Sequence, residues 1–581
     1  MTLDWEDLRS LIQWGVPGVA IGTTFLAALV PSLFVVDQSV QGLLQTLVTA
    51  QASILAIVVS VTLLATQLVA TNYAPRMSTL LLRTDQFRQT FALFIGSITL
   101  DVVVYLALGQ AQHPLLSGLF YSTLVLFILV LVSVYLFSIE MVSQSIPERL
   151  VELFTQTVSV EEYIDKTEAY AESPESNTHP LQPLFRYTMT ALSKGEYSAA
   201  TSALDHYIPY TKKTLTEVEE LELLDDSEFG AKEELFGPVL KDHLHLIAQH
   251  AAENDESQIR NTAIQGQVEI GTQGIGIGPR SRVTNQALRG LQNTIRDGPY
   301  TDRGYASLNQ CWKGVGELAE EASEVESSTI MLTARGIVRQ RLRSSVRTVE
   351  EPGWMSDSLR VLFEHFCEAH ANTLDLIGES QPLKQFGPDD LYGDGRQTPP
   401  DRVEQLRFCQ QALIEFTSVV IEHRIENGRW IPAEANYRRA WQNLVIDTAD
   451  TGATDLAVDL CEVLIQVAFI ENTAKLPSVD RPTFRGIDQA DPNEVNHWLR
   501  ELQTIEEKTD SDVVSQAFAN LLSYEPVDPS SNHLIRIGEE EPGREELYQF
   551  DVRVDGYNEL NTREEYPDAL RQLRDKVLSS G

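Results

Sequence analysis

Lysine is scarce in this chain, and none occurs before Lys166. The 581 residues hold 11 lysines against 34 arginines, and the formal net charge is −38 with a sequence pI near 4.6. So acidic a surface repels nucleic acid, which excludes a generally nucleic-acid-binding protein. An acid excess with little lysine is typical of proteins in concentrated salt, where self-repulsion is screened within about 3 Å at 1 M. An ordinary acidic cytosolic protein is the alternative.

Cysteine is also rare, and the motifs of common enzymes are missing. Four cysteines stand far apart without a CxxC pair, which indicates a reducing compartment and excludes a disulfide framework or a zinc motif. No GxSxG sequence accompanies them. The sequence therefore predicts no catalytic residues, no cofactor, no metal site and no enzyme activity. The cysteines are Cys311, Cys367, Cys409 and Cys461.

Charge is nearly absent from the first 150 residues. They hold 5 Lys+Arg and 8 Asp+Glu, a net of −3, so the remaining 431 residues carry −35. Each of four apolar stretches is near or above the roughly twenty residues that cross about 30 Å of hydrocarbon. Residues 1–150 are therefore predicted to form a transmembrane domain of four helices, and the acidic start "MTLDWEDLRS" is typical of a retained anchor. The predicted spans are 15–36, 47–71, 87–108 and 115–139.

The arginines of this part predict its orientation in the membrane. Arg76, Arg83 and Arg88 follow the second span, Arg9 precedes the first and Arg149 follows the fourth. The other two loops hold no Lys or Arg. The positive-inside rule then predicts a multi-pass protein of the cell membrane with both termini in the cytoplasm.

Polar side chains recur along the second predicted span. Thr46, Ser53, Ser60 and Gln67 are seven residues apart, so a helix stacks them on one slowly drifting face. One interpretation is a face that lines water or an ion path at an oligomer axis. The other is a packing seam, in which hydroxyl and small side chains let helix backbones approach closely.

Asp101 is the one acidic residue in the middle of a predicted span. It lies about seven residues, roughly 10 Å, from the outer end of the third span. Ser97 and Tyr105 flank it one turn away on either side. A carboxylate at this depth is costly unless paired, protonated or hydrated, and it indicates function by default. The alternative is an interhelical hydrogen bond to a hydroxyl or to Gln67.

A family resemblance rests on fixed polar positions in this region. The pattern runs Ser60-x-Thr62-Leu63-x-Ala65-x-Gln67-Leu68 and then Tyr73-x-Pro75-Arg76, and continues through Leu81, Leu82, Asp85 and "FIGS" at 94–97. Over roughly residues 40 to 150 it resembles a prokaryotic family of predicted integral membrane proteins, catalogued as a domain of unknown function. The resemblance implies a multi-span region followed by a soluble cytoplasmic part, and no activity. Asp101 departs from the aromatic or apolar residue expected there.

Beyond residue 150, amphipathic periodicity predicts a mainly α cytoplasmic part with little β structure. We expect a helical bundle or solenoid over residues 151–475 and a separate C-terminal region over 476–581. Lys194-Gly195-Glu196 breaks two helical runs, as in a helical hairpin. The best strand candidate is 547–557, and linkers are expected at 172–180, 380–400 and 473–491.

A ridge of arginines stands out in this acidic part. Arg335, Arg339, Arg343 and Arg347 are four residues apart along one predicted helix. One interpretation is contact with anionic lipid headgroups or a phosphorylated ligand. The alternative, which we favour, is internal pairing with the acidic face of the preceding run, formed by Glu317, Glu320, Glu321 and Glu324.

Two other features resemble binding sites without meeting the full patterns. "GTQGIGIGPR", at 271–280, lacks the Gly-Lys-Ser/Thr ending of a phosphate loop, and we expect a flexible turn. "HLHLIAQH" and "HFCEAH" lack the paired histidines of a helical zinc motif, and we expect solvated helix faces.

Two function classes follow from these features. One is an oligomeric membrane conduit or transporter for a small solute or ion, with Ser53, Ser60, Gln67 and Asp101 along the path. Its cytoplasmic helices would then assemble or regulate it. The other is a membrane-anchored scaffold or sensor that binds a cytoplasmic protein. The expected partners are membrane lipid, further copies of the chain and a cytoplasmic protein.

Overall fold

Apolar side chains at three- and four-residue spacing predict helices along most of the chain, and helices dominate the computed structural model. Within the residues described, the only sheet is an antiparallel pair of two-residue strands, β1 (Ala474–Lys475) and β2 (Thr483–Phe484). The prediction of a mainly α protein is confirmed, and the strand candidate at 547–557 lies outside the described residues. The structure describes residues 39–72, 85–108, 114–144, 151–152, 154–155, 158–174, 177–220, 235–277, 282–297, 305–325, 327–348, 353–380, 401–427, 434–475, 483–484, 492–509, 512–523 and 566–579.

The helices form two compact units. The first comprises the described residues up to Tyr163 together with Pro180–Tyr207. The second comprises Ile164–His179 and the described residues from Ile208 onward. The domain boundaries near residues 150 and 475 stay predictions.

Three long apolar helices belong to the first unit. They are α1 (Ser39–Asn72), α2 (Asp85–Leu108) and α3 (Pro114–Gln144), and α2 packs against both of the others. They coincide with the second, third and fourth predicted spans, and α1 and α3 extend beyond them. The first predicted span, 15–36, lies outside the residues that the structure describes.

The surface of these helices is apolar. Two stretches, Gln41–Leu64 and Thr90–Ala107, are long and apolar enough to cross a membrane, and only 11% and 28% of them are buried. A third apolar stretch, Ser122–Tyr135 of α3, is shorter in the part described. Among described residues, all but three of the exposed large apolar side chains lie on α1, α2 or α3. So concentrated an apolar surface marks a region that meets lipid or protein in place of water.

A helical hairpin follows in the chain, after α4 (Val160–Glu172). Its helices are α5 (Gln182–Lys194) and α6 (Tyr197–Glu220). Between them Gly195 adopts φ +74°, a left-handed conformation that favours glycine. The N–H of Glu196 donates to the carbonyl of Ala191 at 2.8 Å and closes the helix end. The break predicted at Lys194-Gly195-Glu196 is confirmed.

The second unit is an array of helices that pack mainly on near neighbours in sequence. α10 packs against α8 and α13, and α14 packs against α11 and α13. Two tryptophans, Trp312 of α10 and Trp441 of α15, are fully buried in this array. The elements are a π-helix (Pro238–His243), α7 (Leu244–Glu253), α8 (Ser257–Ile277), α9 (Arg282–Asp297), α10 (Tyr305–Ser323), α11 (Ser328–Ile337), a second π-helix (Val338–Leu342), α12 (Arg343–Thr348), α13 (Gly353–Ser380), α14 (Asp401–Asn427), α15 (Glu434–Asp450), α16 (Thr454–Thr473), α17 (Pro492–Lys508), α18 (Val513–Ser523) and α19 (Tyr566–Leu578).

Candidate functional site: a buried polar cluster among apolar helices

The predicted polar face of α1 is exposed. Ser53, Ser60 and Gln67 are all exposed in the part of the chain that the structure describes. The Ser53 hydroxyl donates to the Thr49 carbonyl and the Ser60 hydroxyl to the Ala56 carbonyl, each at 2.8 Å. Because each serine hydroxyl is satisfied by its own helix, these two hydroxyls need no water in an apolar setting.

The buried face of α1 carries a different polar residue, Gln51. Its side chain is fully buried, and neither atom of its amide has a hydrogen-bond partner among the described residues. Gln51 lies two residues before Ser53, which places it about 200° around the helix from the exposed serines. It continues the apolar face formed by Leu44 and Leu47, at the three- and four-residue spacing of a buried helix side.

Asp101 of α2 faces Gln51. The amide of Gln51 and the hydroxyl of Thr123, on α3, both lie beside its carboxylate. Neither makes a hydrogen bond of ordinary geometry with it, and both Asp101 oxygens lack a partner in the part of the chain described. The Thr123 hydroxyl donates to the Phe120 carbonyl at 2.8 Å.

Ser97 completes this group, one helical turn before Asp101. Its hydroxyl is fully buried and also has no partner among the described residues. We call Gln51, Ser97, Asp101 and Thr123 the Asp101 cluster. All four side chains are fully buried, and they come from three helices.

Polar and apolar contacts of the same helices bracket the Asp101 cluster. Val104, one turn after Asp101, packs with Leu44 and Phe120 in an apolar cluster. In the other direction along α2, Thr90 and Ser133 share a buried hydrogen bond of 3.0 Å. Eleven residues separate Thr90 from Asp101, or about 16 Å at 1.5 Å per residue. Two polar layers therefore lie between α2 and α3. One is the Asp101 cluster, next to the apolar contact at Val104, and the other is the Thr90–Ser133 hydrogen bond.

An unpartnered carboxylate in this position is costly. Buried polar groups normally have hydrogen-bond partners, and a buried charge without one costs several kcal/mol (on the order of 3 or more). The cluster instead gathers oxygen atoms around one acidic group. Chemically, such a group can take up a proton or a cation.

The structure thus separates residues that the sequence analysis grouped. Asp101 meets Gln51 and Thr123, whereas Ser53, Ser60 and Gln67 lie on the exposed side of α1. An interhelical hydrogen bond from a hydroxyl to Asp101 was among the predicted alternatives; Thr123 lies beside the carboxylate without an ordinary hydrogen bond, and the neighbouring Gln51 was not predicted. Its signal was the spacing from Leu44 and Leu47, which the sevenfold polar pattern beside it obscured.

The arginine ridge packs on α14. Arg343 donates to both carboxylate oxygens of Glu422 at 2.9 and 3.1 Å, and both side chains are buried. Arg339, which is 61% exposed, reaches Glu415 at 3.5 Å. Arg335 lies over the ring of Phe408, 5.9 Å from its centroid.

These contacts correct the predicted partners of the ridge. Pairing within the protein is present, but the acids that Arg339 and Arg343 contact are on α14 and not on the acidic face of α10. On that face Glu317 pairs with Lys313 at 3.2 Å, and Glu320 pairs with His365. Burial and the neighbouring acids raise the pKa of Glu321. The side chain of Arg347 lies outside the described residues.

The glycine-rich segment was predicted to be a flexible turn, but it is helical as far as Ile277. α8 continues to that residue, and only the remainder of the segment, 278–280, lies outside the described residues. A Cβ on Gly271 would lie 2.9 Å from that of Ala287, and Thr284 donates to the Gly271 carbonyl at 2.8 Å. Glycine here lets α8 and α9 approach closely, which the sequence pattern alone does not distinguish from a turn.

Three of the histidines predicted on solvated faces are buried. His243 packs edge-on against His179 with ring centroids 5.3 Å apart. The Nδ1 atom of His245 lies 3.1 Å from the hydroxyl oxygen of Thr294. His370 is fully buried with Nε2 3.2 Å from the amide nitrogen of Gln410, and burial lowers its pKa to about 3. The prediction failed because histidine, half apolar, occupies a helix core as readily as a wet face.

Comparison with known proteins finds a family similarity in the first part of the chain. Residues 12–184 match the family described as "Predicted membrane protein (DUF2254)". This match confirms the predicted resemblance. The matched residues include α1, α2, α3 and the whole Asp101 cluster. No curated protein matches the chain. The family description carries no activity, so any function rests on the residues themselves.

Proposed function

We propose that this protein is a multi-pass protein of the cell membrane that conducts a small solute or ion past Asp101, as an oligomer. The single observation that carries this proposal is the Asp101 carboxylate, which is fully buried between three apolar helices and unpartnered among the described residues. An ionisable group inside a membrane helix by default marks a substrate, ion or proton path. In this proposal the chain catalyses no reaction and holds no enzyme cofactor.

The distribution of arginine supports an orientation for the path. With the loop that holds Arg76 and Arg83 in the cytoplasm, α1 and α2 have their other ends outside. Asp101 then lies seven residues, about 10 Å, from the outer end of α2. The second polar layer, Thr90 with Ser133, lies towards the cytoplasmic side. A permeating ion would meet these two polar layers in turn.

The exposed face of α1 supports an oligomer. Ser53 and Ser60 place small hydroxyl groups on this surface, and such residues let helices from two copies approach closely. Gln67 is exposed on the same helix. The second unit, with its dense helical packing, would then act as the cytoplasmic part that assembles or regulates the conduit.

A membrane-anchored scaffold or sensor is the second candidate. The observation that favours it is that the Ser53 and Ser60 hydroxyls are already bonded to their own helix, which a lipid-facing anchor requires. In that case the spans only hold the protein at the membrane, and a cytoplasmic partner binds its helical part.

Ion flux into liposomes separates the two candidates. The full-length protein is reconstituted and uptake of Na⁺, K⁺ and protons is followed for the wild type, for Asp101→Asn and for Thr99→Val. Thr99 is the matched control, because it is exposed on the same helix and bonds the Ile95 carbonyl of that helix. We expect the wild type to show ion flux and Asp101→Asn to show a flux about tenfold or more lower, which corresponds to roughly 1.4 kcal/mol or more. Thr99→Val should retain the wild-type flux. Equal permeability of empty and protein-containing liposomes would instead support the scaffold.

A further inference from the structure

We infer that the Asp101 cluster binds a dehydrated alkali-metal cation, Na⁺ or K⁺. This inference deepens the proposed conduit and rests on it for the membrane setting of the three helices. It names the ligand of the site from the atoms that the cluster presents.

Five oxygen atoms belong to the cluster. They are the two carboxylate oxygens of Asp101, the amide oxygen of Gln51 and the hydroxyl oxygens of Ser97 and Thr123. Four of these five have no hydrogen-bond partner among the described residues, and the Thr123 hydroxyl donates to the Phe120 carbonyl. Carboxylate, amide and hydroxyl oxygens are ligands of hard cations and can replace the water around a dehydrated ion.

The charge of the site favours a monovalent ion. Asp101 is the only residue with a charged side chain between Thr90 and Ala107 of α2, and α1 contains no charged residue. One carboxylate and one monovalent cation form a neutral pair, which an apolar surrounding tolerates. A divalent cation would leave a net charge among apolar helices, and burying a net charge is costly.

A bound proton explains less of the geometry. Protonation satisfies one oxygen of Asp101 and supplies one donor. That one donor can serve the amide oxygen of Gln51 or the hydroxyl of Ser97, but not both, so at least one of these two oxygens, which lack a partner among the described residues, stays without one. A single cation contacts several of these oxygens at once, and the oxygens come from helices α1, α2 and α3, so binding also ties the three helices together.

Thermal unfolding of the full-length protein in detergent or nanodiscs tests the inference. The unfolding midpoint is measured at one pH and one ionic strength in NaCl, in KCl and in choline chloride. Choline controls for screening of the acidic surface, which stabilises the protein with any salt. We expect NaCl or KCl to raise the midpoint above the choline value with saturation, as a bound ligand does. The two salts identify which alkali ion the site takes.

Neighbouring residues on α2 supply a matched pair of variants. Ser97→Ala removes a buried, unpartnered oxygen, whereas Thr99→Val removes an exposed hydroxyl bonded to its own helix. We expect Ser97→Ala and Gln51→Leu to raise the half-saturating cation concentration about tenfold or more. Asp101→Asn abolishes the shift, and Thr99→Val leaves it unchanged. If Asp101→Asn fails to fold, the graded loss in the other two cluster variants still decides the question.

Three outcomes would overturn the inference. One is the same midpoint in all three salts, and another is a shift that survives in Asp101→Asn. The third is a response to pH alone, which would assign the site to a proton. A cation-dependent midpoint without flux in liposomes would keep the binding site and reject the conduit, so the two proposals fail separately.

Discussion

The carboxylate of Asp101 faces the amide of Gln51 between α1 and α2, and both side chains are fully buried. No atom of either functional group has a hydrogen-bond partner of ordinary geometry among the described residues. Such a pair weakens the packing of the helices that carry it. Residues that break a packing rule in this way are expected at functional sites.

Removal of the Asp101 charge should stabilise the protein when no ligand cation is present. In choline chloride, Asp101→Asn is expected to raise the free energy of unfolding by about 1–3 kcal/mol, because it relieves a buried, unpaired charge. Thr99→Val, on the exposed side of α2, should change it by about 0.5 kcal/mol or less. Thermal unfolding of the purified protein measures both. A less stable Asp101→Asn protein would show that the carboxylate holds the helices together.

The buried pair Arg343–Glu422 predicts a large effect in the second unit. Arg343→Met should lower the free energy of unfolding by about 3–5 kcal/mol, because it removes the guanidinium that pairs with the buried Glu422 carboxylate. The double variant Arg343→Met with Glu422→Leu should recover most of that loss. Arg339→Met is the control, since Arg339 is exposed and its contact with Glu415 should contribute about 1 kcal/mol or less. A double variant as unstable as the single one would contradict this account.

Glycine at position 290 should be required by packing. A Cβ there would lie 2.3 Å from the Leu240 carbonyl oxygen and 2.6 Å from the amide nitrogen of Gln267. Gly290→Ala is therefore expected to destabilise the protein by about 1–3 kcal/mol, despite the better helix propensity of alanine. Gly336→Ala meets nothing within 4 Å and should stabilise by up to about 1 kcal/mol. Chemical denaturation, followed by the helical circular dichroism signal, measures the free energy of unfolding of both variants. Equal changes in the two variants would contradict a close approach of Gly290 to the Leu240 carbonyl.

Burial of His370 predicts a loss of stability in acid. Its pKa is about 3 in the folded protein and about 6.5 when unfolded, so between these values the unfolded chain binds the extra proton. The contribution of neutral His370 to the free energy of unfolding is fully present above pH 6.5. It is lost as the pH falls towards 3, by at most about 1.4 kcal/mol per pH unit. His370→Gln keeps an acceptor for Gln410 and should reduce this slope. Parallel stability–pH curves for the two proteins would contradict the prediction.

Hydropathy and periodicity were sufficient to predict the helices. α2 begins within two residues of the predicted start of the third span, because a helix that must bury one face or meet lipid repeats its apolar residues every three or four positions. Gly195 likewise predicted the turn that its left-handed conformation produces. Local rules decide such features.

Partners across the fold were not predictable in the same way. Arg343 had acidic candidates on several helices, and only the packing of α11, α12 and α14 selects Glu422. Gln51 was hidden for a related reason, since its role depends on the position of Asp101 in a different helix. Sequence spacing identifies the face of one helix, but which faces meet depends on tertiary packing.

The most direct test of the central claim is a structure of the protein in lipid with Tl⁺ replacing the alkali cation. We predict an anomalous scattering peak within bonding distance of the Asp101 carboxylate and of oxygens from Gln51, Ser97 or Thr123. The peak should be absent in Asp101→Asn and present in Thr99→Val. A wild-type structure without that peak, in which Gln51 donates a hydrogen bond to Asp101 and closes the contact, would contradict the claim and make the cluster a packing seam.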